Sequence, residues 1–149
     1  MRIAFFVNDF EREHAGYTTT VLAHQAAMRG HEVFYLTPSD FVLRPDDSLC
    51  AHGRLLPKKK YKDRDDFFAT LMSGKCKTEP IDLAGLDILM LRSDPSIDAE
   101  TPWAAEAGIL FGREAANAGP SCSMTRTASG ARSTSCISRA SLRKRERKR

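Results

Sequence analysis

A short apolar run that leads directly into charged residues and a proline constrains this chain more than any other feature. Ile88–Leu91, within the stretch 87–98, carries four bulky side chains without polar alternation. The run is too short to span a membrane and is typical of a parallel strand covered by helices on both faces. Pro95 then forces the chain out of the sheet, because proline cannot donate to a ladder. Arg92 and Asp94 therefore follow the carboxyl end of a strand, where open α/β sheets bind ligands.

Residue types alone leave two roles open for Arg92 and Asp94. They can close the loop as a local ion pair, or they can contact a ligand together, since positions two apart point the same way in extended chain.

The first 36 residues predict a βαβ unit. Residues 3–7 form a second apolar run, which predicts a strand, and residues 31–36 predict another. Asp9 lies in the polar turn that follows residues 3–7. Between them we expect a helix, with hydroxyl capping at its start, an apolar side facing the sheet and a left-handed stop at Gly30. The capping residues are Thr18, Thr19 and Thr20, and the sheet-facing residues are Val21, Leu22, Ala26 and Met28. Such units are right-handed.

The middle of the chain predicts a β-hairpin and a helix. Residues 41–43 and 49–51 flank a Pro-Asp-Asp turn, which favours a hairpin inserted beside the main sheet. Asp63, Asp65 and Asp66 suit the first turn of a helix that carries Phe67, Phe68 and Leu71.

Residues 58–62 place four lysines around Tyr61. A phosphate or nucleic-acid contact and a solvated surface turn are both compatible with this run, and its shortness favours the turn.

After residue 101 the spacing predicts an amphipathic helix capped by Thr101. Trp103, Ala107, Phe111 and Ala115 recur every four residues, with Leu110 alongside, and Gly119 ends the pattern. The next buried strand is due there, but the residues that follow lack its apolar signature.

The charge is divided between two parts of the chain. The net charge of +4 combines −4 in residues 1–119, with 14 basic and 18 acidic residues, and +8 in residues 120–149, with 9 basic and 1 acidic. The second part has no aromatic residue and few large aliphatic ones. We therefore predict one domain over 1–119 and a basic, low-complexity, disordered tail over 120–149.

The ionisable side chains predict neither a metal centre nor a disulfide framework. Cys50, Cys76, Cys122 and Cys136 form no CxxC pair, and the four histidines show no metal-ligand spacing. Cys76, between two lysines, is either activated by them or an inert thiol. The opening residues lack a secretory signal and no stretch reaches transmembrane length, so we expect a cytoplasmic protein with no membrane partner.

Several of these segments carry a family likeness. Residues 3–9, the helix start at 18–20, Arg-Gly-His-Glu-Val at 29–33, the hairpin with Leu55 and Leu56, and Leu-Asp-Ile-Leu-Met-Leu-Arg-Ser-Asp-Pro at 86–95 resemble the N-terminal domain of prokaryotic glutathione synthetase, in the ATP-grasp superfamily. The resemblance covers about residues 1–119.

The resemblance implies an α/β, Rossmann-like pre-ATP-grasp domain with a parallel sheet. Complete relatives use ATP and Mg²⁺ to phosphorylate the cysteinyl carboxylate of γ-glutamylcysteine, which the glycine amine then attacks. By resemblance, Arg92 and Asp94 line the peptide-substrate side of the cleft, with Asp9 and Thr18, Thr19 and Thr20 nearby. No catalytic residue or cofactor is assigned to this chain, which we expect to be inactive without an ATP-grasp domain. A homo-oligomer is compatible with it.

We hypothesise that the tail is the product of a frameshift, which the nucleotide sequence would test. Codons from Gly119 onward, read from the third base, permit Ala-(Val/Ile)-(Met/Val)-Leu-Asn-Asp-Pro-Asp-Gly-Leu, which supplies an apolar strand and a turn where they are due. Met124 has a single codon, so its last base and the first two bases of the Thr125 codon must encode Asp in the shifted frame.

Two other functions stay open at this point. The tail from Arg139 to Arg149 suits salt-dependent attachment to nucleic acid or an anionic surface. A Rossmann-like glycosyltransferase half shares the apolar first strand and the Gly-His-x-Val second strand.

Overall fold

The computed structural model describes residues 1–46, 48–57, 60–92, 102–118 and 121–124. Its strands are β1 (Arg2–Phe6), β2 (Glu32–Leu36), β3 (Phe41–Leu43), β4 (Leu49–Leu55), β5 (Lys77–Asp82), β6 (Ile88–Leu91) and β7 (Ser121–Met124), and its helices are α1 (Thr18–Met28), α2 (Arg64–Met72) and α3 (Pro102–Ala118). The α/β class is therefore confirmed.

The described strands form one mixed sheet in the order β3-β4-β2-β1-β6-β7, with β5 paired to β4. β2, β1, β6 and β7 are parallel, which confirms the buried parallel strand at Ile88–Leu91. The predicted hairpin of β3 and β4 forms, but it joins the sheet through antiparallel pairing of β4 with β2 instead of lying beside it. The sheet thus has a parallel half, where the carboxyl ends meet, and an antiparallel half.

The alternating side chains of the central strands fill two cores. Ala4 and Phe6 point to the face covered by α3, whereas Ile3, Phe5 and Val7 point to the face covered by α1 and α2. These side chains are at most 7% exposed. Helices on both faces satisfy the requirement that the continuous apolar runs imposed.

The predicted buried face of α1 is confirmed at Ala26, which packs against the core, but is wrong at Leu22 and Met28. Leu22 and Met28 are 38% and 47% exposed, while Thr19, Thr20, Ala23 and His24 are buried. Gly30 does stop the helix, with φ of 81°.

The predicted face of α3 is also confirmed only in part. Phe111 and Ala115 pack against the sheet as predicted, whereas Trp103 and Leu110, predicted on the same side, are each 60% exposed. Gly108 lies against the Phe6 ring so closely that a Cβ there would overlap it. Close approach at a glycine fixes which side of this helix meets the sheet. The predicted cap at Thr101 and stop at Gly119 lie outside the described residues.

Two strands were missed by sequence reasoning. β5 pairs with β4 over six residue pairs and contains Pro80, which an edge strand tolerates. β7, with the sequence Ser-Cys-Ser-Met, pairs in parallel with β6 at the position where we expected no strand to begin. The edge of β6 is therefore covered, because ladder hydrogen bonds come from the backbone and do not need apolar side chains.

The helix predicted from the Asp-rich turn is confirmed. Asp63 is its N-cap and accepts a hydrogen bond from the backbone N–H of Asp66 at 2.8 Å, and Phe67 and Leu71 are fully buried. Side-chain capping of this kind satisfies an amide that the helix itself leaves open.

Candidate functional site

The candidate site lies at the carboxyl ends of β1, β2 and β6. The backbone ladder continues one residue beyond each strand, since the Val7 N–H donates to the Leu36 carbonyl and the Arg92 N–H donates to the Phe6 carbonyl, both at 2.9 Å. Arg92 is thus held by the sheet, as the sequence predicted, and its side chain leaves from a rigid support.

The Arg92 side chain contacts the start of α1. Its Nε donates a hydrogen bond to Thr19 Oγ1 at 3.1 Å, and Thr19 is 4% exposed. No described residue accepts a hydrogen bond from the two terminal nitrogens of this guanidinium. Two nitrogens in a planar fork match a carboxylate or phosphate, so the arrangement can hold an anionic ligand group.

The three threonines do not cap α1 as predicted. Tyr17 is the N-cap residue and no side chain caps the helix. Thr18 is exposed, Thr19 accepts from Arg92, and Thr20 is fully buried with no hydrogen-bond partner for Oγ1. Because the extended N-cap position falls at Tyr17, the three threonines are the first helical residues and do not occupy the capping position.

Asp9 is occupied by a local turn. Its Oδ1 accepts a hydrogen bond from the backbone N–H of Glu11 at 2.9 Å, which shapes the loop after β1. Asp94 lies outside the described residues, so the choice between an ion pair with Arg92 and a ligand role stays a prediction. Of the six predicted substrate-binding residues, the structure brings Arg92 and Thr19 into direct contact.

Glu13 belongs to this site and was missed by sequence reasoning. Two hydrogen-bonded turns, from Glu13 N–H to the Phe10 carbonyl at 3.1 Å and from Tyr17 N–H to the His14 carbonyl at 3.0 Å, carry its side chain inward. Burial raises the pKa of the Glu13 carboxyl, and the charge of Arg92 and the Thr20 hydroxyl partly offset this. No feature of the loop sequence distinguishes Glu13 from its exposed neighbour Glu11.

Tyr35 adds a phenol to the same cluster. It is fully buried in β2, and burial together with the nearby Glu13 charge raises its pKa well above the ordinary value, with Thr20 acting in the opposite direction. The sequence signal that could have identified Tyr35 as a site residue was a tyrosine among apolar strand residues, because a buried phenol usually has a hydrogen-bond partner.

Several buried polar atoms of this region have no hydrogen-bond partner within the described protein. They are Asn8 Oδ1, Glu13 Oε2, Thr20 Oγ1, Tyr35 OH and both imidazole nitrogens of His24. Buried polar atoms are normally paired, and each unpaired one costs about 1–3 kcal/mol. Thr20 nonetheless lies close enough to Glu13 and Tyr35 for its hydroxyl to act on the pKa of both.

Aromatic packing holds the loop over Tyr35. The Phe10 ring lies 6.2 Å from the Tyr35 ring, and the Arg54 guanidinium lies 4.0 Å from the Phe10 ring centroid. A cation over an aromatic face contributes about 0.5–2 kcal/mol. The loop that carries Asp9 and Glu13 is therefore anchored from β4.

The other candidate residues stand apart from this site. Within the described ranges no group of three His, Cys, Asp or Glu side chains could hold a metal ion. Burial raises the pKa of the Cys76 thiol, so activation by the neighbouring lysines is not supported. Tyr61 is 3% exposed, packs on His24 and Phe67, and donates to the Pro57 carbonyl, so it is not an aromatic platform beside the lysines.

None of the helices in the described part of the chain is long and apolar enough to cross a membrane. The basic segment from Arg139 to Arg149 lies outside the described residues, and its attachment to nucleic acid stays a prediction.

The fold and the site together define an α/β domain that presents an arginine and a cluster of hydroxyls and one carboxylate at the carboxyl ends of parallel strands. Comparison with family models gives a match to the prokaryotic glutathione synthetase N-terminal domain over residues 1–116. The chain belongs to this family. A comparison with curated proteins gave no significant match.

Proposed function

We propose that residues 1–119 are the substrate-side domain of an ATP-dependent carboxylate–amine ligase of the glutathione-synthetase type, acting on γ-glutamylcysteine. The observation that carries this proposal is the Arg92–Thr19 contact at the carboxyl ends of β1 and β6, inside the region that matches the family. The guanidinium is held by its Nε, and no described residue binds its two terminal nitrogens, which suits one carboxylate of the substrate.

A Rossmann-like architecture is part of the proposal. It is supported by four parallel strands, helices on both faces and a β1-α1-β2 unit whose parallel strands pair along their whole length. In open α/β sheets of this kind the ligand crevice lies beyond the carboxyl ends of the strands. The Arg92 side chain and the threonines of α1 occupy that position.

The side-chain types in this domain suggest which of the ligase's substrates it binds. In the complete ligase, ATP supplies the phosphoryl group and Mg²⁺ neutralises its charge, as the family resemblance implies. The described residues offer no cluster that fits Mg²⁺. They do offer a cation and hydroxyls, which bind and orient a carboxylate substrate. We therefore assign ATP, Mg²⁺ and glycine to a separate ATP-grasp domain and expect the chain alone to form no peptide bond.

Calorimetric titration of the 149-residue chain with γ-glutamylcysteine tests the proposal. We expect saturable binding that Arg92→Gln weakens at least tenfold, because a charge-assisted hydrogen bond is lost. Arg29→Gln, at an exposed arginine in the C-cap of α1, is the matched control and leaves binding unchanged. Absence of binding to the peptide overturns the proposal.

Two further measurements separate the proposed function from the alternatives. With ATP, Mg²⁺, γ-glutamylcysteine and glycine, the chain alone produces no glutathione above background, and turnover would overturn the assignment of ATP to another domain. A sugar nucleotide gives no thermal protection. If it raised the melting temperature while the peptide did not, the glycosyltransferase interpretation would replace this one.

A further inference from the structure

The Phe10 ring, in the loop that follows β1, lies against two neighbouring strand residues. Tyr35 of β2 and Arg54 of β4 are partners in the antiparallel register of these strands. Side chains directly opposite each other in such a pair lie on the same face of the sheet. The Phe10 ring centroid lies 6.2 Å from that of Tyr35, and the Arg54 guanidinium lies 4.0 Å from the Phe10 centroid. One aromatic ring therefore joins the loop to both strands.

The positive charge of Arg54 strengthens its contact with the Phe10 ring. Within the ranges that the structure describes, no carboxylate forms an ion pair with Arg54. A guanidinium over the face of an aromatic ring is attracted by the negative potential of that face. Arg54 and Phe10 are both half-buried, so the contact lies at the margin of the core. The charge therefore contributes an attraction there that an apolar side chain would not.

The position of Phe10 is linked to that of Glu13 through the backbone. The Phe10 carbonyl accepts a hydrogen bond from the Glu13 N–H at 3.1 Å, which closes a single turn between the two residues. Burial raises the pKa of the Glu13 carboxyl and the charge of Arg92 acts in the opposite direction, so Glu13 lies near Arg92. A series of contacts therefore runs from Arg54 through Phe10 to the carboxylate beside Arg92.

We propose that Arg54, in the antiparallel half of the sheet, is a positioning residue that holds the loop of residues 8–16 against the sheet through Phe10 and so keeps Glu13 beside Arg92. The effect on ligand binding rests on the proposed function, in which this loop borders the substrate cleft. A loop that is already ordered before the ligand arrives adds no ordering cost to binding. Arg54 would therefore raise the affinity for the substrate by acting through the loop.

Proteolysis of the full chain tests the position of the loop without any ligand. Glutamyl endopeptidase cleaves after Glu11 and Glu13 in the loop and after Glu114 in α3, and mass spectrometry follows each site. Arg54→Met, which keeps a long unbranched side chain but no charge, should raise cleavage in the loop about fivefold and leave cleavage after Glu114 unchanged. Unchanged loop cleavage overturns the inference, and so does an equal rise at Glu114, which would indicate global unfolding.

Three further variants test whether the charge and the ring act together. Arg44→Met, at an exposed arginine of the same hairpin, is the matched control and should have no effect. Arg54→Lys keeps the positive charge and should raise loop cleavage less than Arg54→Met does. Phe10→Leu removes the ring face and should also raise loop cleavage, and adding Arg54→Met to it should give no further rise. Equal effects of lysine and methionine at position 54, or additive effects of the double variant, overturn the inference.

Calorimetric titration with γ-glutamylcysteine then distinguishes this inference from the proposed function. We expect Arg54→Met to weaken binding about fivefold, with Arg54→Lys between it and wild type and Arg44→Met equal to wild type. Wild-type affinity in folded Arg54→Met overturns the positioning role and leaves the proposed function standing. If the wild-type chain does not bind the peptide while loop cleavage still depends on Arg54, the proposed function is removed and the positioning of the loop is supported.

Discussion

Arg92, at the end of β6, is joined to Thr19, in the first turn of α1, by a hydrogen bond of 3.1 Å between residues 73 positions apart in the chain. The bond links the third parallel strand in sequence to the helix that follows the first. It holds the guanidinium by its Nε against the first turn of α1, beside the carboxyl ends of β1 and β6.

Thr19→Val should release the Arg92 side chain without creating a cavity, because valine has nearly the same shape as threonine. We expect the free energy of unfolding to fall by about 1–2 kcal/mol, since a partly buried charge-assisted hydrogen bond is lost. Urea denaturation measures this change. Thr18→Val, at the exposed neighbouring position, is the control and should change stability by less than about 0.5 kcal/mol. Equal effects of the two substitutions would contradict the assigned contact.

Glu13 should make stability depend on pH. Burial raises the pKa of its carboxyl above the ordinary value of 4.5, so the folded state holds its proton more tightly than the unfolded state. Stability contributed by the protonated form is therefore complete below 4.5 and is lost as pH rises through the raised folded pKa.

Urea midpoints for wild type and Glu13→Gln, measured from about pH 4 to about pH 8, test this dependence. The stability of the variant relative to wild type should increase as pH rises, and the two proteins should be closest in stability at the acidic end of the range. A constant difference between the two proteins across this range would show that the Glu13 carboxyl has no raised pKa.

Truncation of two adjacent residues of α3 should destabilise the protein to very different extents. Phe111 stacks on Phe41 with ring centroids 4.0 Å apart and planes at 7°, whereas Leu110 is 60% exposed. We expect Phe111→Ala to cost about 2–3 kcal/mol, below the value for a fully buried ring, and Leu110→Ala to cost less than about 0.5 kcal/mol. Thermal or urea unfolding measures both. A larger loss at Leu110 than at Phe111 would contradict the packing of α3 described here.

Gly108→Ala should destabilise the fold although alanine favours helices. A Cβ at this position would overlap the Phe6 ring, so α3 would have to move away from the sheet. We expect a loss of about 1–3 kcal/mol from overpacking. Gly16→Ala, in a loop where a Cβ meets no atom within 4 Å, is the matched control and should be neutral or slightly stabilising. Tolerance of alanine at Gly108 would show that α3 packs less closely than described.

Sequence reasoning located the parallel strands but not the orientation of the helices. The runs at 3–7 and 88–91 are apolar on both faces. A continuous apolar run of so few residues is typical of a buried strand. α1 and α3 have small or apolar residues on more than one side. Spacing alone therefore could not choose between Leu22 and His24, or between Trp103 and Gly108, as the buried position.

The candidate site was also predicted only in part from the sequence. Arg92 was predicted because it follows an apolar strand directly, and strand ends are where such sheets bind ligands. Glu13 was missed because a loop carboxylate has no periodicity, and its burial depends on two turns and on Phe10 packing under Arg54. The capping role of the threonines was wrong because capping depends on the backbone angles at Tyr17, which residue type does not specify.

The amino-acid sequence by itself determined the α/β class, the buried strands, the stop at Gly30 and the position of Arg92 at a strand end, because these follow from local apolar character and backbone chemistry. The tertiary structure decided that β7 pairs with β6, which helix faces are buried, and that Glu13, Thr20 and Tyr35 lie together. These features depend on contacts between residues distant in the chain, whose free energies no local pattern contains.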